Sequence, residues 1–397
     1  MKNILVINSG SSSLKFQVID IDTEQMLLKG LAEPLGDHKA TVSFKYNGKE
    51  TEVTIPAPAT HTDALKAIFH FLDEQDLTKT ITSVGHRVVH GGEKINSSVK
   101  ITSEVIAIIK DAIPYAPLHN PAALLGIEAV SKIAPNMSQV AVFDTAFHST
   151  MPDYAYRYAV PTSWYTKHGV RRYGAHGTSY RFIVEKLSHI LNKPTNKINA
   201  IIAHLGSGAS IAAIKNGQSV DTTMGFTPLE GLSMATRSGD VDASIVPFIM
   251  TRENLTADQV IMLLNKESGH KGVSGFSDDT RELEAEAAKG HKDAQLSLNI
   301  FSHRAAKLIA GLMTSLDSLD ALVFTAGVGE NRFLIRADIV AKLGIFGFKI
   351  DDQSNNTLQG RNGDEGLISS SDSKYPIYEL ITNEELMIAR DTNAIAK

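Results

Sequence analysis

No cysteine occurs in the 397 residues, so neither a disulfide framework nor a thiolate zinc site can be built. No apolar run approaches the ~18 residues of a membrane-spanning helix, and the first residues lack the apolar core of a secretory leader. A soluble, cytoplasmic protein is the expectation. An excess of positive charge is also missing. The 39 Lys and Arg against 44 Asp and Glu leave a formal charge of −5, which argues against a nucleic-acid binder and against a polybasic membrane surface. There is no HExxH, and the glycine-rich stretches lack the adjacent Gly-Lys-Ser/Thr of a P-loop. What is present is an ordinary globular balance, 43% hydrophobic and 21% charged, in a chain long enough for two cored domains.

The informative residues begin at ILVINSGSSSLKF, Ile4–Phe16. Four apolar residues lead into a turn of small residues. Leu14, Phe16 and Val18 then alternate with Lys15 and Gln17, the period of a strand. A strand–turn–strand unit with a lysine on its return limb suits phosphate. The same grammar recurs about 200 residues later in AIIAHLGSGASIAAIKNG, Ala200–Gly217, where Asn216-Gly217 reads as a hairpin turn. Two unrelated hairpins, or a duplicated domain carrying one phosphate hairpin in each copy, both satisfy the pattern. A third glycine-rich segment, ALVFTAGVGENRFLIRADI from Ala321, reads as strand, turn and helix, with glycines allowing close approach of a ligand. Further strands are expected at Ala40–Tyr46, Glu52–Ile55 and Gln139–Asp144. Helices are expected at His61–Glu74, Ser103–Ile113, Pro121–Ala134 and Ser179–Leu191, with an irregular connection over Met151–Gly177. A strand meander followed by strand–helix alternation indicates a mixed α/β sheet.

Several side chains have chemistry that fits such loops. Arg87 in GHRVVHGGE could grip a carboxylate with two hydrogen bonds or serve as a surface ion-pair arginine. His86 and His90 are four apart, but the β-branched Val88-Val89 and flanking glycines favour a strand over a zinc helix. Asp144 ends an apolar strand, where it could direct chemistry or cap a turn. His176 could be catalytic or structural. Arg237 in TRSGDVD sits among small residues that leave its head group reachable. Glu384 could serve a metal or simply face a helix dipole, with Asn383 as the cap.

Ten segments in order, NSGSSSLKF, GHRVVHGGE, PLHNP, FDTAFH, RYGAHGTS, AHLGSGAS, TTMGFTPLEG, TRSGDVD, FTAGVGEN and TNEELMIARDT, resemble the acetate kinase family over essentially the whole chain. The resemblance implies the actin and sugar-kinase fold: two related α/β domains, each a mixed sheet flanked by helices, with the active-site cleft between them. The expected division is 1–150, completed by a C-terminal helix 384–397, and 151–383. It implies reversible transfer of the ATP γ-phosphoryl to acetate, giving acetyl phosphate and ADP, with magnesium or manganese, in a homodimer. Propionate kinase is the nearest alternative. A sugar kinase or an actin-type assembly protein is more remote.

By resemblance, Asp144, His176 and Arg237 are catalytic, and Arg87 binds the substrate carboxylate. Val89, Leu118 and Pro228, which as isolated apolar residues would read as core, form the methyl pocket. Lys15 and the second hairpin (His204, Leu205, Gly206, Ser207, Gly208) hold phosphates. Asp279, Thr280 and Arg281 flank the nucleoside, with Gly327, Val328, Gly329, Glu330 and Asn331 alongside. Asn8 and Glu384 serve the metal. Acetate is already ionised at neutral pH, so Asp144 is expected to act through magnesium, water or geometry and not as an obligatory base. The chain departs from the family pattern at Ala175 (usually Phe), which would leave room near the acceptor, at Tyr180 (usually His) and at Ser207 (usually Asn).

Overall fold

A computed structural model describes residues 2–396. Two compact units divide the chain: 1–149 with 383–397, and 150–382.

The first unit is built on an eight-stranded sheet: β1 (Asn3–Ser9), β2 (Leu14–Asp20), β3 (Gln25–Glu33), β4 (Ala40–Tyr46), β5 (Lys49–Ile55), β6 (Ile81–Val88), β7 (Val99–Lys100) and β8 (Ser138–Phe143), in the order β5-β4-β3-β2-β1-β6-β8-β7. Alternation decides which side of each meander strand is buried. Leu14, Phe16 and Val18 of β2 and Val42 and Phe44 of β4 all point into one core, while Lys15 of β2 and Lys45 of β4 stay exposed. Phe44 stacks on Phe71 at 4.1 Å and meets Phe16 edge-on at 5.6 Å. Phe71 comes from the helix His61–Glu74, which opens with a reciprocal Thr60–Asp63 capping box. The C-terminal helix Glu384–Ile395 packs on β1, β6 and β8. Gly85 permits that approach, since a Cβ there would lie 2.3 Å from Thr392 Oγ1. Its neighbour Val84 belongs to the core of the opposite face.

The second unit carries β9 (Ala200–Leu205), β10 (Ala209–Lys215), β11 (Gln218–Thr222), β12 (Ala321–Thr325), β13 (Gly366–Leu367) and β14 (Ile377–Glu379), in the order β11-β10-β9-β12-β14-β13. Every residue of β9 is buried, as a central strand covered on both faces requires. The helices Gly177–Ile190 and Lys292–Met313 both pack against it. The series β3-β2-β1-β6-β8 and β11-β10-β9-β12-β14 repeat one pattern: two antiparallel pairings, then two parallel ones. Of the two readings of the repeated hairpin, this matches the duplicated one.

Three local expectations need correction. No separate turn follows β12; the helix Ala326–Asn331 begins at once, and Ala326 makes the change of direction at φ 65°. The stretch expected to be irregular holds two short helices, Asp153–Tyr156 and Thr162–His168. β8 stops at Phe143, so Asp144 is the first residue beyond the strand.

Candidate active site

In the first unit, Asn8 stands opposite Lys15 across the first hairpin. Both line a cleft of about 550 Å³ that also takes in Gln17, Lys29 and Glu385. The next strand, β6, presents Arg87. The Asp144 N–H donates to the Val88 carbonyl at 2.9 Å, fixing the carboxylate beside that arginine. Arg87 Nε lies 3.2 and 3.1 Å from the two Asp144 oxygens and Nη2 lies 2.7 Å from Oδ2. Asp144 is 1% exposed, whereas Arg87 keeps 25%. The Asp144 charge, joined by Glu384 and Glu385, holds the guanidinium above its ordinary pKa against the opposing effect of burial. Two sequence candidates are therefore one ion pair, and Nη1 remains on Arg87 for a further acceptor. His86 points away; it is buried, its Nε2 lies 2.8 Å from Gln139 Oε1, and burial pushes its pKa down to about 4. Among the described residues no three His, Asp or Glu side chains gather as a metal cage.

Glu384 opens the C-terminal helix, half-buried, and Asn383 caps it by accepting from the Leu386 N–H at 3.0 Å. Both sequence readings of Glu384 thus remain compatible with its position. Val89 lies one residue beyond β6 and is half-buried, so strand alternation does not fix its face relative to Arg87. Leu118 is 45% exposed, an unusual place for a core leucine and an open one for a pocket wall.

In the second unit, His176 and Arg237 converge. A Cβ placed on Gly208 would lie 3.5 Å from both His176 Nε2 and Arg237 Nη1. Arg237 Nη1 donates to the Pro228 carbonyl at 3.3 Å, and burial lowers its pKa. No carboxylate pairs with Arg237 among the described residues. His204, the penultimate residue of β9, has Nδ1 2.8 Å from Ser179 Oγ, and its ring stacks on His176 at 4.1 Å.

A second cleft, about 420 Å³, gathers Gly206, Ser207, Asp279, Thr280, Arg281, Gly327, Val328 and Asn331. These come from three segments that the sequence separates by more than 100 residues in all. Asp279 caps the helix Thr280–Ala288 and takes two hydrogen bonds from Arg281 Nε at 3.0 Å each. Gly327 leaves open space where a Cβ would stand.

Besides Lys15 in the first unit and His204 and Gly208, which sit with His176, the predicted members Leu205, Gly329 and Glu330 are absent from the lining of this cleft. Leu205 is fully buried in the core, on the same alternating face of β9 as Ile201 and Ala203. Gly329 faces the Phe324 backbone. Glu330 folds back, accepting from the Ala326 N–H at 2.8 Å, the Thr382 N–H at 3.0 Å and the Thr325 hydroxyl at 3.3 Å. Ala175 is likewise a core residue of this unit, so the room it leaves is in the core.

The sequence reading missed Ala235, His270, Asp278, Arg332 and Arg361 as lining residues. Ala235 and Asp278 adjoin flagged segments, and Arg332 follows Asn331. His270 sits in the Gly- and Ser-rich run 268–279, a signal available but unused. Arg361 is brought in by the Asn331 side chain, whose Oδ1 accepts from its N–H at 2.9 Å, and nothing local announces that.

A model of the acetokinase family matches residues 3–390. The chain belongs to the acetokinase family. It is 49% identical over 391 residues to acetate kinase 1 of Neisseria meningitidis serogroup A, covering 98% of each chain. It is 48% identical over 400 residues to the acetate kinase of Thermoanaerobacterium thermosaccharolyticum, covering 99% of each. Among solved structures, a propionate kinase from Francisella tularensis subsp. tularensis SCHU S4 superposes with a TM-score of 0.95 at 44% identity, covering 100% of both chains. The Porphyromonas gingivalis acetate kinase gives 0.93 at 42%, also with full coverage. An acetokinase is a kinase whose acceptor is a carboxylate, and the two mixed sheets are those of the actin and sugar-kinase type.

Proposed function

We propose that this acetokinase transfers the γ-phosphoryl of ATP to acetate, reversibly, forming acetyl phosphate and ADP. The observation that carries the reading is the meeting of Arg237 Nη1 and His176 Nε2 at Gly208, with no carboxylate neutralising that arginine among the described residues. Phosphoryl transfer asks for positioning and charge stabilisation more than covalent help, and two donors on a glycine loop suit the equatorial oxygens of the moving group. The cleft lined by Gly206, Asp279 and Gly327 supports nucleotide binding in the same unit. In the first unit, the outer donor of the Arg87–Asp144 pair is suited to a carboxylate, with Val89 and Leu118 of the same unit as candidates for the methyl wall.

Asn8 and Glu384 are hard oxygen donors, and with no complete cage among the described residues they fit an ion that keeps several waters, as magnesium does. Such an ion would neutralise phosphate charge when bound. Manganese would accept the same donors.

A homodimer is the expected assembly. The helix Ile245–Glu253 buries none of its residues, and Phe248 at 58% and Met262 at 47% exposure, with Ile245 and Ile261, form the kind of apolar surface that monomers rarely leave bare. Among the described residues no helix is long and apolar enough to cross a membrane; a cytoplasmic location is the expectation. The similarity to a propionate kinase keeps the three-carbon acid as the second reading. ADP release measured with acetate, propionate and glycerol as sole acceptors tests the assignment: acetate should lead, and a polyol preference would overturn it.

A further inference from the structure

His176 is held in an uncommon way. Its φ is 59°, the left-handed region, which for a residue other than glycine or asparagine is strained and persists only where surroundings enforce it. Its Nδ1 lies 2.8 Å from Ser210 Oγ. The same hydroxyl is hydrogen-bonded to the Tyr180 hydroxyl, and both Ser210 and Tyr180 are completely buried. We propose that Tyr180 and Ser210 form a relay that fixes the His176 imidazole in its Nε2–H tautomer, which makes Tyr180 a positioning residue for phosphoryl transfer.

A serine hydroxyl has one proton to give. The phenol is the more acidic of the two hydroxyls, so Tyr180 donates to Ser210 Oγ. Ser210 then spends its own proton on His176 Nδ1. An imidazole whose Nδ1 accepts must carry its neutral-state proton on Nε2, the nitrogen that faces Gly208 alongside Arg237 Nη1. A donor is thereby aimed at the place where phosphoryl charge would develop, without the ring having to be cationic. His204, stacked at 4.1 Å, limits rotation of the ring, and its own Nδ1 is engaged with Ser179 Oγ.

The inference rests on reading His176 as a donor at the transfer site, so its test separates the two. Nitrogen-15 NMR of full-length protein labelled at histidine, with the His176 signal assigned by His176→Gln, should show a neutral Nε2–H tautomer in the wild type and a tautomer mixture in Tyr180→Phe. Turnover of Tyr180→Phe should fall about tenfold or more, the scale on which partners that orient an imidazole act, with nucleotide KM within about twofold. Tyr180→His should recover part of the loss. A wild-type Nδ1–H tautomer overturns the proposal. So does a Tyr180→Phe enzyme with unchanged tautomer and turnover, or one whose nucleotide KM suffers as much as kcat. If Tyr180→Phe does not fold by circular dichroism, Ser210→Ala takes its place under the same criteria. A His176→Ala enzyme with wild-type turnover would instead remove the transfer-site reading, whatever the spectra show.

Discussion

Arg237 is a desolvated cation without a carboxylate partner among the described residues, an arrangement that folding alone does not favour. A group held so is expected to serve a charge that arrives with the substrate. Arg237→Ala should therefore lower kcat about 10³-fold with little change in either KM; a variant keeping more than about a tenth of wild-type kcat would remove Arg237 from the transfer step. Arg87 and Asp144 call for a different experiment because they are already bonded to each other. Residues that act as a pair are not additive. Arg87→Ala and Asp144→Asn should each raise acetate KM far more than ATP KM, and the double variant should be little worse than the worse single one. Losses that multiply, or that fall equally on both substrates, would mean that the two work separately or only hold the fold.

Elements decide which parts of this site the sequence could reveal. A run of four apolar residues made β1 legible and period-two alternation did so for β2 and β4, and the Asn216-Gly217 turn is a left-handed pair at φ 52° and 75°, as its composition suggests. β3 escaped because adjacent Leu27 and Leu28 and then Gly30 interrupt its alternation, and its pairing with β2 shifts register between Val18 and Ile19. The helix Lys292–Met313 escaped because its buried face carries alanines and serines among its leucines. In the site, residues flanking glycine loops were readable, since backbone freedom leaves a compositional mark. The bond between Arg87 and Asp144, 57 positions apart, and the inward turn of Glu330 were not, because both depend on which elements meet in space. Glu330 ties the start of the 326–331 helix to Thr382 through two backbone N–H groups. Glu330→Ala should raise ATP KM about tenfold, from the loss of an acceptor to two such donors, while acetate KM stays put and Glu330→Gln is milder. Equal rises in both KM values would refute a local role for the loop. Val89→Ala should move the kcat/KM ratio toward propionate by about tenfold, the worth of roughly one methylene, and an unchanged ratio would place the methyl pocket elsewhere.

At the scale of the whole molecule, the second unit buries a carboxylate that the chemistry does not use. Glu379 is fully buried, and neither of its oxygens has a hydrogen-bond partner among the described residues. Burial raises its pKa from the ordinary 4.5 to about 8, a rise opposed by the Arg336 charge. The folded state therefore keeps this proton where the unfolded chain loses it. The stability contributed is fully present below about pH 4.5 and is lost as pH rises through about 8. Melting temperature should fall across that window in the wild type and fall less in Glu379→Gln; parallel profiles would show that Glu379 is ionised in the fold.

The central claim is that the acceptor is a carboxylate, and hydroxylamine trapping tests it most directly, because only an acyl phosphate gives a hydroxamate. With ATP, magnesium and acetate, the full-length protein should form acetyl hydroxamate in step with ADP, and Arg237→Ala should lose both signals together. ADP formed without hydroxamate would contradict the account.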